Sequence, residues 1–235
     1  MPPTPVPRQP GGYTAPGLTL GPAARIFLRY RNIQLIAPLA LLALGARLAL
    51  GHWQPGDLLV AGVVVGLESF TEWVIHVFVL HFRPRLVAGR RFDPLAARKH
   101  RAHHRDPKVI ELVLIPFPVL AGSLAVAAVG FLLAMPTWQL ACTAIAATFT
   151  MLGGYEWTHF LIHSSYLPRS RYYRYIWRAH RLHHFRNERY WFGITVHLAD
   201  HLLGTFPDRD AVQVSATART LGVEQPVGPV GQFSR

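Results

Sequence analysis

Four long apolar stretches dominate the pattern of hydrophobic and polar positions along the chain. They cover residues 33–50, 58–82, 110–135 and 138–162. A helix that crosses a bilayer needs about 20 predominantly apolar residues, and each stretch approaches or exceeds that length. A chain of 235 residues has too little polar surface to cover four such helices in water. The pattern therefore predicts four membrane-spanning helices and an all-α integral membrane protein.

The connections between these stretches differ sharply in charge. Residues 51–57 and 136–137 are short links without Lys or Arg, whereas residues 83–109 hold nine basic residues and residues 169–189 hold seven. Basic loops stay on the cytoplasmic side of a membrane. We therefore predict two transmembrane hairpins, with a helical cap formed by the basic segments on the cytosolic side.

The two ends of the chain differ from this apolar middle. Residues 1–22 include seven prolines and four glycines, a composition that neither holds a helix nor buries much surface. We predict a flexible cytosolic Pro/Gly-rich tail over residues 1–32, a membrane domain over residues 33–206 and a C-terminal tail over residues 207–235.

The charge composition agrees with this topology. The chain carries 24 Lys and Arg against 12 Asp and Glu, yet only 15% of its residues are charged, against about 25% in soluble domains. Twenty of the basic residues lie in the three segments predicted to face the cytoplasm. The excess positive charge therefore predicts contact with anionic lipid headgroups rather than nucleic acid. We expect a multi-pass protein of a bacterial inner membrane.

Ten of the 13 histidines form four groups, and the predicted topology places all four at the cytoplasmic face. The single cysteine, Cys142, excludes an internal disulfide and a thiolate metal cluster, and His52 lies in a link on the opposite side. The histidine groups are His76 and His81; His100, His103 and His104; His159 and His163; and His180, His183 and His184.

Helical geometry makes these groups plausible metal ligands. His159 and His163 are separated by roughly 40° around a helix, on one face. His183 and His184 diverge by roughly 100°, so that neighbouring imidazoles can bind two different metals. His76 and His81 are roughly 140° apart on an ideal helix. Either a local distortion of the helix or binding to two different metals would resolve this spacing.

The number of histidines indicates the metal. Neutral imidazole binds iron, zinc, copper and nickel, and zinc prefers four ligands. Ten ligands suffice for two ions with about five nitrogens each, which leaves an octahedral ion one open position. The ligand set therefore favours two iron ions with O2 as co-substrate, and zinc as a substitute in purified protein.

Carboxylates within the apolar stretches are candidates for supporting these ligands. Glu72 precedes His76 by four residues, and Glu156 precedes His159 by three. A carboxylate that accepts the free N–H of a ligand imidazole fixes its tautomer and orientation. We therefore expect Glu72 and Glu156 to support the metal site.

Further candidates follow the last histidine group. Asp200 is expected in the same supporting role, and the flanking His197 and His201 as extra ligands or supporting residues. Candidates for the substrate path are Glu68, Trp191 and Phe192.

Four ordered histidine boxes with intervening spans resemble the fatty acid hydroxylase/sterol desaturase superfamily, whose members are integral-membrane di-iron proteins. The separation between His81 and His100 in the sequence resembles the spacing in fatty acid 2-hydroxylases. The segments Phe192-Gly-Ile-Thr195 and Asp200-His-Leu-Leu-Gly204-Thr205 resemble the family sequence after the last box. The resemblance implies O2-dependent hydroxylation of a lipid C–H bond, with electrons from a ferredoxin, rubredoxin or cytochrome b5-like carrier and its reductase.

Other functions fit the same residues. A lipid, sterol or carotenoid desaturase, ketolase or hydroxylase would use the same di-iron site. A non-catalytic metal-binding or transport membrane protein belongs to a different class, but it would place its ligands near the bilayer midplane. A zinc hydrolase would act without O2 or electrons.

Overall fold

The structure is a computed structural model that describes residues 17–223. It is almost entirely helical, with one short β-hairpin. The elements are α1 (Leu20–Phe27), α2 (Arg31–Leu50), α3 (Pro55–Val74, continued by a π-helical turn at Ile75–Leu80), β1 (Arg85–Val87), β2 (Arg90–Phe92), α4 (Leu95–Arg105), α5 (Ile110–Val113), α6 (Phe117–Ala134), α7 (Trp138–His163), α8 (Arg171–Phe185), α9 (Leu198–Leu202) and a 3₁₀ turn (Arg209–Ala211).

Three helical segments are long and apolar enough to cross a membrane: Arg31–Leu50, Pro55–Leu80 and Ile110–Ala134. The fourth predicted span falls on α7. At 26 residues, α7 is about 39 Å long, enough to cross a bilayer, but it is not among the three segments that satisfy both criteria. Length and composition thus indicate a membrane protein with three candidate spans among the described residues.

Helix α7 is the centre of the packing, since it contacts α1, α2, α3, α5 and α6. Its two ends belong to different apolar clusters. Near its C-terminus, Phe160 and Leu161 pack with Phe27 of α1 and Ile110 of α5. In its first half, Phe149 and other residues pack against α2 and α6. Burial of these apolar side chains holds the histidine-bearing end of α7 in place.

A buried ion pair joins three helices at the end of the bundle away from the histidines. Arg47 of α2 donates to both carboxylate oxygens of Asp57 in α3, at 2.6 and 2.7 Å. Thr143 of α7 donates to the same carboxylate. Asp57 also accepts from the backbone N–H of Gln54, which caps the start of α3. Arg47, a charged residue within the first apolar stretch, therefore links three helices.

The described residues differ from the expected tails. Leu20–Phe27 is a helix rather than flexible chain, because its Ala23 and Phe27 are buried against α7. Residues 208–223 pack on α4 and on the segment after α8. Residues 1–16 and 224–235 of the expected tails lie outside the described residues. The β-hairpin was not predicted, and it turns at Ala88 and Gly89, both with positive φ.

One face of α3 holds the segment that follows the last histidine box. Ser69, Glu72, Trp73 and His76 occur at helical spacing, and each contacts residues of the 192–205 segment. Ser69 Oγ donates to the carbonyl of Val196 and accepts from the N–H of Ala199. Helix α3, a candidate membrane span, thereby fixes the chain that covers one side of the histidine cluster.

Candidate metal centre

The ten histidines converge into two groups of five. In each group, one ligand nitrogen per residue lies within 4.8 Å of all the others. Group one contains His76, His81, His100, His104 and His183, and group two contains His103, His159, His163, His180 and His184. Each group therefore has the ligand number and spacing to bind one metal ion.

Two helices contribute to both groups. Helix α4 directs His100 and His104 to group one, and His103 to group two. Helix α8 directs His183 to group one, and the His180–His184 pair to group two. Neighbouring residues point about 100° apart on a helix. Each His-x-x-His-His box therefore lies between the two groups and supplies ligands to both.

A local distortion of the helix brings His76 and His81 together. At residues 75–80 the helix widens to a π-helical turn, and the N–H of His81 donates to the carbonyl of His76, 3.0 Å away. The two ring centroids are 4.9 Å apart, and both residues belong to group one. Of the two possibilities that the spacing left open, the structure has the distorted helix, a feature frequent at functional sites.

Main-chain carbonyls orient three ligands of group one. The Nδ1 atoms of His76, His183 and His104 lie 2.6–2.8 Å from the carbonyl oxygens of Phe192, Tyr190 and Ala218 respectively. A carbonyl oxygen can only accept, so each Nδ1 carries the proton and each Nε2 presents a lone pair. These contacts select the tautomer in which Nε2 is the ligand.

The lone pairs converge in a way that fits a bound cation. The Nε2 atom of His100 lies 3.1 Å from those of both His76 and His104, and the Nε2 atoms of His104 and His183 are 3.2 Å apart. In group two, His103 is fully buried, and neither of its ring nitrogens has a hydrogen-bond partner within residues 17–223. A buried polar atom without a partner costs about 1–3 kcal/mol. Metal ions would satisfy these nitrogens.

Burial also keeps the ligands neutral. Removal from water lowers the pKa of His104 well below its ordinary value, and it lowers the pKa of His183 to about 4. A neutral imidazole is the form that binds a metal. The protein thus presents these side chains in their ligand state at neutral pH.

The carboxylates support the site differently from the expectation. Glu72 accepts hydrogen bonds from the backbone of Ile194 and from both the backbone and the hydroxyl of Thr195. Glu156 accepts from the N–H of Ile115 and the side chain of Asn32. Within the described residues, neither carboxylate is hydrogen-bonded to a ligand imidazole. Backbone carbonyls take that role, and the carboxylates hold the loops around the ligands.

Asp200 holds the loop after the last histidine box. Its carboxylate accepts from the backbone of Phe192 and Gly193 and from the side chains of Thr205 and His197. Burial opposes its ionisation, but these hydrogen bonds outweigh that effect and lower its pKa. A Cβ on Gly193 would lie 2.5 Å from the carbonyl oxygen of Val196, so this close approach requires glycine.

His197 and His201 lie outside both five-histidine groups. His197 is buried and bonds to Asp200, 2.8 Å away. His201 is exposed, and its Nε2 lies 2.8 Å from the hydroxyl of Tyr175. The geometry therefore assigns His197 to the support of Asp200 and gives neither residue a place in a metal group.

The C-terminal strap, residues 208–223, lies across the histidine-bearing helix α4 and the end of α8. The carbonyl of its Ala218 holds His104, as described above. Its Val223 carbonyl accepts from Arg105 of α4, and its Arg219 donates to the Arg105 carbonyl. These contacts could not be predicted from the sequence, because every residue type has the same backbone carbonyl acceptor.

Further bonds hold the strap to the end of α8. The N–H of Ser215 donates to the carbonyl of Arg186, 2.7 Å away, and the Arg186 side chain donates to the carbonyl of Val212. Thr217 donates to the carboxylate of Glu188, 2.5 Å away. The strap therefore connects α4 to the chain that follows α8.

An apolar cavity of about 370 Å³ opens beside the histidine cluster, between α3, α6 and α7. His76 and His100 of group one and His159 of group two line it. Of the expected substrate-path residues, Glu68 and Phe192 also line this cavity. Trp191 does not; it is buried behind α8 at the floor of a different cavity. Successive residues thus face opposite sides of the loop.

The fold and the site define a helical protein with candidate membrane spans and two adjacent five-histidine groups, each of which could bind a metal ion. The fatty acid hydroxylase family model matches residues 61–205, which include all ten histidines. The chain therefore belongs to the fatty acid hydroxylase family. This membership confirms the predicted superfamily and indicates an oxidoreductase.

Similar proteins agree with this assignment. Two dihydroceramide fatty acyl 2-hydroxylases of Arabidopsis thaliana are 30% and 28% identical over 161 and 156 residues. Those matches cover 63% and 62% of this chain and 62% and 60% of the relatives, so the chain spans less than two thirds of their length. The solved structure of full-length scs7p, with only the hydroxylase domain visible, has a TM-score of 0.65 at 22% identity. The structural match covers 78% of this chain and 68% of the scs7p chain, and it shows that the two share a fold.

Proposed function

We propose that this protein is a di-iron membrane oxygenase that hydroxylates a C–H bond of a fatty acyl lipid. The observation that carries the proposal is the apolar cavity lined by histidines of both five-residue groups. The ten imidazoles would hold two iron ions, which supply O2 activation when bound. Both named Arabidopsis relatives are acyl 2-hydroxylases, which supports attack near the polar end of the acyl chain.

The chain's own residues bind and position the lipid. Leu120, Leu124 and Phe149 form apolar walls in which an acyl chain is shielded from water. Glu68, Thr71 and Tyr155 add polar groups to the lining, suited to hydrogen bonds with a carbonyl or hydroxyl of the substrate. A lipid that enters from the bilayer would place one methylene beside His76 and His159.

We further propose that α7 is the fourth membrane span, with the histidines at the cytoplasmic face of a bacterial inner membrane. The basic residues of the 83–109 and 169–189 segments support this orientation. Within this arrangement, anionic headgroups contact the basic residues nearest the membrane surface while the acyl chain reaches the cavity. Electrons would come from a separate carrier protein.

The experiment is lipid analysis of cells with and without the gene, grown under isotopically labelled O2. The proposal expects lipids that carry one labelled oxygen atom only when the gene is present. Loss of two hydrogens without oxygen gain would instead indicate desaturation. Metal analysis of protein purified without air should give two irons per chain. One zinc per chain, with no lipid change, would contradict the oxygenase function.

A further inference from the structure

Helix α8 carries its metal ligands on one face and a row of arginines on the other. Arg171, Arg174 and Arg178 lie within roughly 60° of each other around the helix, and His180 lies about 180° from Arg171. Together with Arg209 of the 3₁₀ turn, these arginines line a cavity of about 360 Å³. We call this surface the arginine face.

The arginine face has unmatched positive charge. The side chains of Arg171, Arg174 and Arg178 are exposed, and they make no hydrogen bond or ion pair with any residue of the described range 17–223. The cavity lining contains a single carboxylate, that of Asp208, against four guanidinium groups. Arg209 approaches exposed Asp210 only at 3.8 Å. A concentration of unpaired guanidinium groups attracts an acidic partner and accelerates its association.

The floor of the arginine face lies directly behind a metal ligand. Trp191 lines the cavity and is 1% exposed. The preceding residue, Tyr190, accepts the Nδ1 hydrogen bond of His183 through its carbonyl, at 2.8 Å. Leu182 lines the same cavity and precedes His183 in α8. The surface is thus separated from group one by about the width of one helix, 10–12 Å.

The arginine face and the apolar cavity lie on different sides of the histidine cluster. The apolar cavity is lined by residues of α3, α4, α5, α6, α7 and the 192–194 loop, and by none of α8. The arginine face is lined by α8 and by residues 191 and 206–209. A partner bound at the arginine face therefore leaves the lipid cavity free.

We propose that the arginine face of α8 is the docking site of an acidic one-electron carrier protein that reduces the metal centre through the Trp191–Tyr190–His183 link. This inference rests on the proposed function. Hydroxylation inserts one oxygen atom of O2 into a C–H bond and reduces the other to water, which consumes two electrons and two protons. Two successive encounters with a one-electron carrier supply those electrons, and solvent supplies the protons.

The test compares two double variants of the full-length, iron-loaded protein in lipid nanodiscs. Arg174→Gln/Arg178→Gln removes two charges from the arginine face. Arg90→Gln/Arg98→Gln removes two exposed charges elsewhere and serves as the matched control. Product formation is measured against the concentration of an acidic [2Fe–2S] ferredoxin and, separately, of reduced methyl viologen, a small cationic reductant. The Kd of the ferredoxin for the same nanodiscs is measured directly, without turnover.

The proposal expects both the Kd and the KM of ferredoxin for the arginine-face variant to rise roughly tenfold at low salt. It expects this rise to shrink as ionic strength increases, because salt screens the interaction. The viologen KM should change far less, and the control variant should behave like wild type with both reductants.

Three outcomes would overturn the docking site while leaving the proposed function intact. The first is an equal ferredoxin KM in both double variants. The second is a wild-type enzyme driven by viologen but not by ferredoxin. The third is a loss of activity in the arginine-face variant that appears only in nanodiscs with anionic lipid and is the same with either reductant. That result would show that the arginine face binds lipid headgroups. Wild-type protein that is inactive with both reductants would contradict the proposed function itself.

Discussion

The Nδ1 atom of His104 lies 2.8 Å from the main-chain oxygen of Ala218, a residue 114 positions further along the chain. Because the carbonyl can only accept, this contact places the proton on Nδ1 and leaves Nε2 to bind a metal. Ala218 lies beyond the 61–205 region that matches the family model. The orientation of one ligand of group one therefore depends on the C-terminal strap.

Shortening the strap should weaken group one selectively. A chain that ends after Pro207 loses the Ala218 carbonyl, so His104 gains rotational freedom. We expect metal affinity at one of the two sites to fall about 10–100-fold, the usual effect of removing a hydrogen bond behind a metal ligand. Metal titration of the purified protein measures this. A chain that ends after Val223 keeps the strap and is the control.

A milder strap variant checks that the effect is local. Thr217→Val removes the hydrogen bond to Glu188 while keeping the chain length and side-chain shape. It should lower the same metal affinity by a smaller factor than truncation does. If both the truncated chain and Thr217→Val bind two metals as tightly as wild type, the strap does not position His104.

Neighbouring histidines in α4 should have separable effects on metal content. His104→Ala removes a ligand of group one, and His103→Ala removes a ligand of group two. Each should lower the metal content from about two ions per chain towards about one, since a site that loses a ligand binds weakly. The double variant should lose both ions. His201→Ala is the control, because His201 lies outside both groups; equal metal loss in that variant would contradict the two ligand sets.

Glu72→Gln should disturb the metal site without removing a ligand. In the native protein, the backbone N–H groups of Ile194 and Thr195 donate to the Glu72 carboxylate. The NH2 group of the glutamine cannot accept these hydrogen bonds, so the loop would be displaced. The displaced loop carries the Phe192 carbonyl that orients His76. We expect roughly a 10–100-fold loss of metal affinity. Thr195→Val should lose less, because both backbone donors remain. Metal titration ranks the two variants, and the reverse order would contradict this role.

Asp200→Asn should lower stability. Asp200 accepts hydrogen bonds from Phe192, Gly193 and Thr205, and an amide cannot accept from all of them. Leaving buried donors unpaired costs about 1–3 kcal/mol. Thermal unfolding in detergent should show a Tm lower by several degrees. Asp210→Asn is the matched control, because Asp210 is 93% exposed and should leave Tm unchanged.

Filling the apolar cavity should change chain-length preference. Ala127 of α6 lines the cavity, and Ala127→Phe would shorten the space for an acyl chain. Activity on long-chain substrates should fall roughly tenfold relative to shorter ones. Val126→Phe is the matched control. It places the same ring at a position that is 75% exposed, so it should leave the chain-length preference unchanged. An equal loss in both variants would indicate a general folding defect instead of a cavity effect.

Much of the candidate site could be predicted because metal ligands must be particular residue types. We could select the ten histidines because they occur at helical spacing and on segments predicted to lie at the same membrane face. The structure brings these ten residues into two groups. Glu72, Glu156 and Asp200 were predictable as residues of interest, because a carboxylate in an apolar segment is costly without a function or a partner. Their partners were not predictable, because those partners are mostly backbone N–H groups.

Local geometry set a second limit on prediction. The wide angular separation expected between His76 and His81 assumed an ideal helix. The π-helical turn at Ile75–Leu80 brings the two side chains together, and hydrophobic periodicity does not predict such a turn. The same holds for Trp191 and Phe192. They are adjacent in sequence, but only Phe192 faces the apolar cavity.

Residue type and spacing were enough to define the apolar segments, the asymmetric distribution of charge and the identity of the candidate ligands. The division of the histidines into two groups of five, the carbonyls that orient three of them, and the strap over α4 arise only in the folded chain. Folding also brought Trp191 and Arg209 beside the arginines of α8, around one cavity. These features depend on contacts between residues that are far apart in the sequence, many of them through backbone carbonyls. Every residue type has such a carbonyl, so residue type does not show which of them will form these contacts.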